Sequence, residues 1–449
     1  MRLNGQGAEI DHADRRAVNA WCMYDWANSA FSATIMAAVF PIYYGAVAAR
    51  GLPPVLATSY WGYTNTIAML LVSLMAPILG AIADHSGARK RFLRYFAGFG
   101  IFFTALMVFI GAGDWKIASL LYILALFGWS CANIFYDSLL PHVAETDRID
   151  QVSSRGYALG YLGGGLLLGI NIIMIKPEIV GITGCHGLQN VEWGARFSFL
   201  SVALWWTIFS LPLLRYVNEP PAALRAGESR NPLRAGLQRL KYTLKDIRRY
   251  SELFKFLMAF WFYNDGIASI IIMAVLFGRE IGIGQEHLLG AILMVQFVGM
   301  PFAIAFGWLA SRIGAKRSIY LSLFIYALIA VGGYFMQSPL HFWILAFFVA
   351  MVQGGSQALS RSLFGKMVPK GRTAEFFGFY DVSSKFASII GPSLFATVGL
   401  LTGSSRNGIL SLLLLFIAGG IILTLVDEDK GIQTAEVENK AAMRNCEAK

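Results

Sequence analysis

Charge is what this sequence has little of. Asp, Glu, Lys and Arg make up 14% of its 449 residues, where a soluble globular domain carries about 25%, and 56% of the chain is hydrophobic. A chain so poor in charge cannot wrap a core in a solvated surface, which excludes a soluble globule and implies a polytopic membrane protein. Cysteine is scarce too: Cys22, Cys131, Cys185 and Cys446 have neither paired nor metal-ligand spacing, so no disulfide and no metal site is expected. The six histidines are scattered, and the phosphate-cradling loop, the zinc-protease His-Glu-x-x-His and the hydrolase Gly-x-Ser-x-Gly are all missing. An ATP-driven pump and a membrane-bound enzyme therefore lack support, and no cofactor is expected. The N-terminus has no apolar core followed by a small-residue cleavage site, so it is expected to stay attached.

Long apolar runs are what is there. Twelve spans are expected, at about 18–48, 57–82, 92–112, 117–140, 156–175, 195–214, 254–277, 287–311, 317–337, 340–360, 376–400 and 408–426. The net charge of +10 needs no nucleic acid partner, because its placement explains it. Of the 37 Lys and Arg, six (Arg50, Lys116, Lys176, Arg196, Arg279 and Arg406) fall on one side of the membrane and Lys385 lies within a span. All the others fall on the side of both termini, which the positive-inside rule makes cytoplasmic. The expected organisation is a cytoplasmic segment (1–17), a six-helix bundle (18–214), a cytoplasmic basic linker (215–252), a second six-helix bundle (253–426) and a charged cytoplasmic tail (427–449). Within the linker, Arg234 to Tyr250 reads as an amphipathic basic helix, either lying on the inner leaflet or serving as a solvated tether. The tail is expected to be disordered.

The stretch Ala20 to Tyr44 crosses a bilayer with Asp25 and Asn28 inside it. An ionisable residue at such a place is costly and by default marks a functional site. Asp25 lies about 10 Å in from a boundary near Ala17, too deep to snorkel. Helical spacing sets Asp25, Asn28, Ser29 and Ser32 on one stripe. Trp21, Tyr24 and Trp26 nearby fit either an aromatic lid or interfacial anchors.

The chain also repeats itself. Gly80-AIA-Asp84-HS-Gly87-A-Arg89-Lys90 after the second span is matched by Gly307-WLA-Ser311-RI-Gly314-A-Lys316-Arg317 after the eighth. Tyr24-Asp25 is echoed by Tyr263-Asn264-Asp265, and Ser138-Leu139 by Ser362-Leu363. Two parallel six-helix repeats joined by a long linker are one architecture of secondary transporters. The Gly-x3-Asp-x2-Gly-basic loop resembles the signature of the major facilitator superfamily, although the superfamily's Arg directly after the second Gly is Ala88 here. Tyr24 to Tyr44, Phe135 to Ala144 and Ser153 to Leu168 resemble more closely the vacuole effluxer-like branch, the autophagy-related permeases.

That resemblance implies an all-helical fold of twelve spans and a loop that latches the two halves together in one state. Asp84 and Arg89 would belong to the latch, with Gly80, Gly87, Lys90, Gly307, Gly314 and Arg317 in its two copies and Asp137 as acidic acceptor. Topology alone is the other reading of the basic cluster. The glycine-rich fifth span (Gly156, Gly160, Gly163, Gly164, Gly165 and Gly169) is expected to pack against a helix of the other half.

Five charges lie within spans: Asp25, Asp137, Asp265, Asp381 and Lys385. Asp381 and Lys385 are spaced i,i+4 and can form a purely structural pair. Alternating access needs its solute site near the midplane, where Asp25, Asn28, Asn264, Asp265 and Lys385 are candidates. Low dielectric favours the protonated form of a carboxylate, so Asp25 or Asp265 is a candidate proton carrier; an internal ion pair is the alternative for each. Carboxylates together with Lys385 suit a zwitterion, and the effluxer resemblance implies amino acid export. The expected partners are thus a small solute, protons and the bilayer, with the protein acting as a monomer in a bacterial inner membrane. A different small solute, or a sensor or scaffold that moves nothing, remains open.

Overall fold

The computed structural model describes residues 4–180, 191–219, 234, 238, 249–386 and 390–447. Every regular element among them is helical. Among the described residues, ten helices are long and apolar enough to cross a membrane. The helix Ser251–Glu280 and the segments Thr373–Phe386 and Ile390–Thr402 occupy the positions of the seventh and eleventh expected spans. Most of the proposed linker helix, residues 387–389 and the side chain of Lys385 lie outside the described residues.

The first span runs α-helical from Asn4 to Ala30, turns π-helical over Phe31–Ala38, and repeats the alternation through Val39–Tyr43 and Tyr44–Ala48. Pro41 supplies a cause, since it lacks the amide hydrogen an α-helix needs and a widened turn accommodates the loss. The Val39 amide accordingly reaches back five residues to the Thr34 carbonyl.

Contacts divide the chain into two compact units. The first comprises Met1–Leu74, Lys90–Tyr136 and Leu159–Asn218. Its interior is aromatic: Phe40 stacks on Tyr122 with centroids 5.4 Å apart, and Trp26 on Trp205 at 5.5 Å. Trp21 is fully buried, stacks on Tyr136 and donates to its carbonyl at 3.0 Å, so it is a core residue and no interfacial anchor. The fifth-span glycines depart from expectation. A Cβ on Gly163 would lie 2.6 Å from the Trp26 carbonyl, and one on Gly160 the same distance from Ser29 Oγ. Both serve the first span of their own half, because the bulk of Trp26 leaves room there only for bare backbone.

The second unit comprises Met75–Arg89, Asp137–Ala158 and Glu219–Lys449. It therefore gathers the ends of the second, fourth and fifth spans on the side of the termini, called here the basic face, together with the second sequence half. The tail departs from expectation as well. Glu428–Glu447 is a helix, with Ala435 buried; docking of that small-residue face supplies what an isolated charged helix in water lacks.

Candidate functional site

The signature loop owes its shape to its second glycine. Gly87 adopts φ +58° and its repeat counterpart Gly314 φ +90°, the left-handed region in which glycine ends one helix and lets the next begin. The following lysines cap helices in parallel fashion. Lys90 Nζ donates to the Val217 carbonyl closing the sixth span, and Lys316 Nζ to the Val426 carbonyl closing the twelfth, each at 2.6 Å. Arg317 is exposed.

Asp84 and Arg89 join the two sequence halves inside the second unit. The Asp84 carboxylate accepts the Ala374 amide at 3.1 Å and the Glu375 amide at 2.8 Å. It thus caps the positive N-terminal end of the eleventh span. Arg89 Nε donates to Asp84 at 2.6 Å, both side chains fully buried, and Nη2 donates to the Lys370 carbonyl at 3.2 Å. Arg89 Nη1 has no hydrogen-bond partner among the described residues. A buried pair with one donor unsatisfied returns little net stability, which suits a contact that must open.

Arg89 bonds Asp84 and not Asp137. The partner of Asp137 is Arg361 on the tenth span, a residue absent from the sequence reading, with Nη1 3.0 Å from Oδ1. The Arg361 side chain is 2% exposed. Its Nε and Nη2 donate to Ser153 Oγ and O, each at 3.0 Å, and its guanidinium lies 4.4 Å from the Tyr157 ring centroid. Beside it Lys366 pairs with Asp150 at 2.6 Å. A third group stands over the Asp84 cap: Arg372 forks onto Glu375 at 2.8 and 2.9 Å and donates to Tyr250 Oη at 2.8 Å. Burial works against the Arg372 charge, but Glu375 overrides it and the pKa is raised. Burial likewise raises the Tyr250 phenol, which stays protonated and donates to Glu438.

Two signature glycines stand in close contact with the other sequence half or with the fifth span. A Cβ on Gly80 would fall inside the Ala374 carbonyl, and one on Gly307 would lie 2.6 Å from Ser154 Cβ. Gly80→Ala and Gly307→Ala are each expected to cost the closed arrangement about 1–3 kcal/mol, the usual cost of overpacking. Thr373, fully buried beside His142, is the reporter. In either variant, a Thr373→Cys thiol should react faster with a membrane-impermeant maleimide offered at the basic face.

The intramembrane candidates fall in different units. In the first unit Asp25 is 8% exposed, Asn28 Nδ2 donates to Asn133 Oδ1 at 2.9 Å, and Ser32 Oγ donates to the Ser29 carbonyl at 3.0 Å. In the second, Asn264 and Asp265 are buried, and Asp265 Oδ2 accepts the Gly391 amide at 2.9 Å. Asp265 Oδ1 has no hydrogen-bond partner, and no cation pairs with this carboxylate among the described residues. Asp381 is half-buried.

The family described as vacuole effluxer Atg22 like matches residues 13–436. An uncharacterized MFS-type transporter of Bacillus subtilis, YxiO, is 39% identical over 432 residues, covering 94% of this chain and 97% of its own. Autophagy-related protein 22 of Yarrowia lipolytica is 24% identical, over 83% of this chain and 76% of its own. Among solved structures, the proton:xylose symporter XylE superposes with a TM-score of 0.69 at 14% identity, over 96% of this chain and 99% of that one. The transporter FucP does so with a TM-score of 0.66 at 11% identity, over 92% and 98%. At these identities the structural likeness speaks for the fold alone.

Proposed function

The chain belongs to the vacuole effluxer Atg22-like family and is a multi-pass transporter of the major facilitator type, and from that premise we propose that it carries an amino acid across a bacterial inner membrane by alternating access, coupled to protons. The observation that carries the reading is the basic-face closure. Residues of both sequence halves meet there through Asp84, Arg89, Arg361 and two bare glycines, contacts suited to forming and breaking rather than to a permanent core. Asp25 and Asp265, buried in the spans, supply carboxylates for an ammonium group or a proton. Lys385, four residues after Asp381 in the eleventh span, supplies the positive charge for a carboxylate. A zwitterion is the solute that uses both signs. The effluxer in the family's description favours export, and the transporter acts as a monomer.

The test is a thermal-shift screen of the purified protein against amino acids, peptides, sugars and nucleosides. Ligand stabilisation grows as RT ln(1 + [L]/Kd), so a ligand at a hundred times its Kd contributes about 2.7 kcal/mol and shifts the melting temperature measurably. Amino acids alone should do so. A shift with sugars or nucleosides and none with amino acids would replace the solute assignment.

A further inference from the structure

We propose that the C-terminal helix Glu428–Glu447 is a strap that holds the basic-face closure shut, so that the tail regulates how often the transporter opens there. The inference rests on the alternating-access reading above and adds to it a device outside the spans. A merely trailing tail would touch the body at its root. This one is bound at its root, along its length and at two side chains that lead directly into the latch.

At the root, the Asp427 amide donates to Glu252 Oε2 at 2.9 Å, and Lys430 lies 3.8 Å from the same carboxylate. One turn on, Gly431 lies against Met367 so closely that a Cβ would come within 2.6 Å of its sulfur. The helix therefore rests its backbone on the end of the tenth span, the span that carries Arg361 and Lys366. Glu428 stands 4.0 Å from Lys366, whose other partner is Asp150 of the fifth span.

Two further contacts lead to Asp84 and Arg89. The Lys370 amide donates to Asn439 Oδ1 at 2.9 Å, while the Lys370 carbonyl accepts Arg89 Nη2 at 3.2 Å. One peptide segment is thus gripped by the tail on one side and by the signature loop on the other. Glu438 Oε2 accepts the Tyr250 hydroxyl at 2.6 Å, and Arg249 lies 3.6 Å away. That hydroxyl accepts Arg372, which is forked onto Glu375, whose amide caps onto Asp84. Both chains of contact end on the turn that Asp84 caps, between the tenth and eleventh spans. The closure holds only while that turn presents its amides to Asp84, and the tail keeps it in that geometry by anchoring it to the start of the seventh span and the end of the tenth. Releasing the tail frees the turn.

The experiment needs no knowledge of the solute. Full-length protein carrying Thr373→Cys, with Cys446→Ser, is placed in inside-out vesicles, and modification of position 373 by a membrane-impermeant maleimide is timed by peptide mass spectrometry. Glu438→Ala with Asn439→Ala, which removes tail contacts only, should speed modification about threefold to tenfold, the range expected for one or two hydrogen bonds. Truncation after Asp427 should speed it at least as much. Added to Asp84→Asn, the tail changes should have little further effect, because both act on one closure. Equal rates with and without the tail changes, while Asp84→Asn accelerates modification, would overturn the strap and leave alternating access standing. Equal rates in all variants, Asp84→Asn included, would overturn both. Unchanged melting temperatures in the Glu438→Ala, Asn439→Ala protein separate opening from unfolding.

Discussion

Arg361→Met is expected to weaken the basic-face closure by about 3 kcal/mol, the lower end of the cost of breaking a buried ion pair by removing one partner. The lower end applies because Asp137 keeps 20% of its side-chain surface exposed and is partly solvated when left behind. Lost hydrogen bonds stand behind the figure, among them one to Asp137 and two to Ser153. These link the tenth span to the fourth and fifth, so the loss falls on the closed arrangement and not on the folding of either half. Modification of the Thr373→Cys reporter should accelerate roughly a hundredfold, since each 1.4 kcal/mol is about a factor of ten. Combining Arg361→Met with Asp137→Asn should recover part of the loss, because a neutral amide left in that place is not an orphaned charge. A double variant as impaired as the sum of the two single ones would mean that the two residues do not act as a pair.

Why Arg361 escaped the sequence reading is instructive in physical terms. The repeat pairs Asp137-Ser138-Leu139 with Arg361-Ser362-Leu363. The Ser-Leu echo is visible, but the signal lay one residue earlier, where the two copies carry opposite charges. Opposite charges at corresponding places of two repeats suit a contact across the pseudo-twofold. The signature loop was legible because its demands are local: a left-handed turn at Gly87 and Gly314, a carboxylate for a helix end, and small residues for close approach. Spacing alone said that the fifth-span glycines permit close approach. It did not say that the neighbour is Trp26 of the first span, because that depends on which large side chain is already in place. The tail read as disordered from its charges, yet its order comes from Tyr250, Glu252 and Met367, far away in the chain. Asp265 was found by its depth, whereas the Gly391 amide it accepts is a backbone group that no residue type announces.

The second large effect is expected at Asp265, and the structure makes the substitution unusually clean. In Asp265→Asn the amide oxygen can still accept the Gly391 hydrogen that Oδ2 accepts now, and the new NH2 group faces the side where Oδ1 has no hydrogen-bond partner among the described residues. The helix contact is kept, so melting temperature and reporter reactivity should be near those of the unsubstituted protein. What is lost is the ability to take up and release a proton. In proteoliposomes, one coupled proton lets each unit of pH gradient support about a tenfold solute accumulation. Asp265→Asn should remove that accumulation while leaving solute exchange at zero gradient in place. Asp25→Asn should instead weaken solute binding, raising KM with a smaller change in the pH profile, because Asp25 shares its stripe with Asn28, whose amide pairs with Asn133 of the fourth span. The opposite assignment of the two phenotypes would move the proton to Asp25. If neither substitution changed flux or its dependence on pH, both carboxylates would be structural, Asp265 as a helix cap of the kind Asp84 forms at the basic face. The driving force would then have to come from the solute's own gradient.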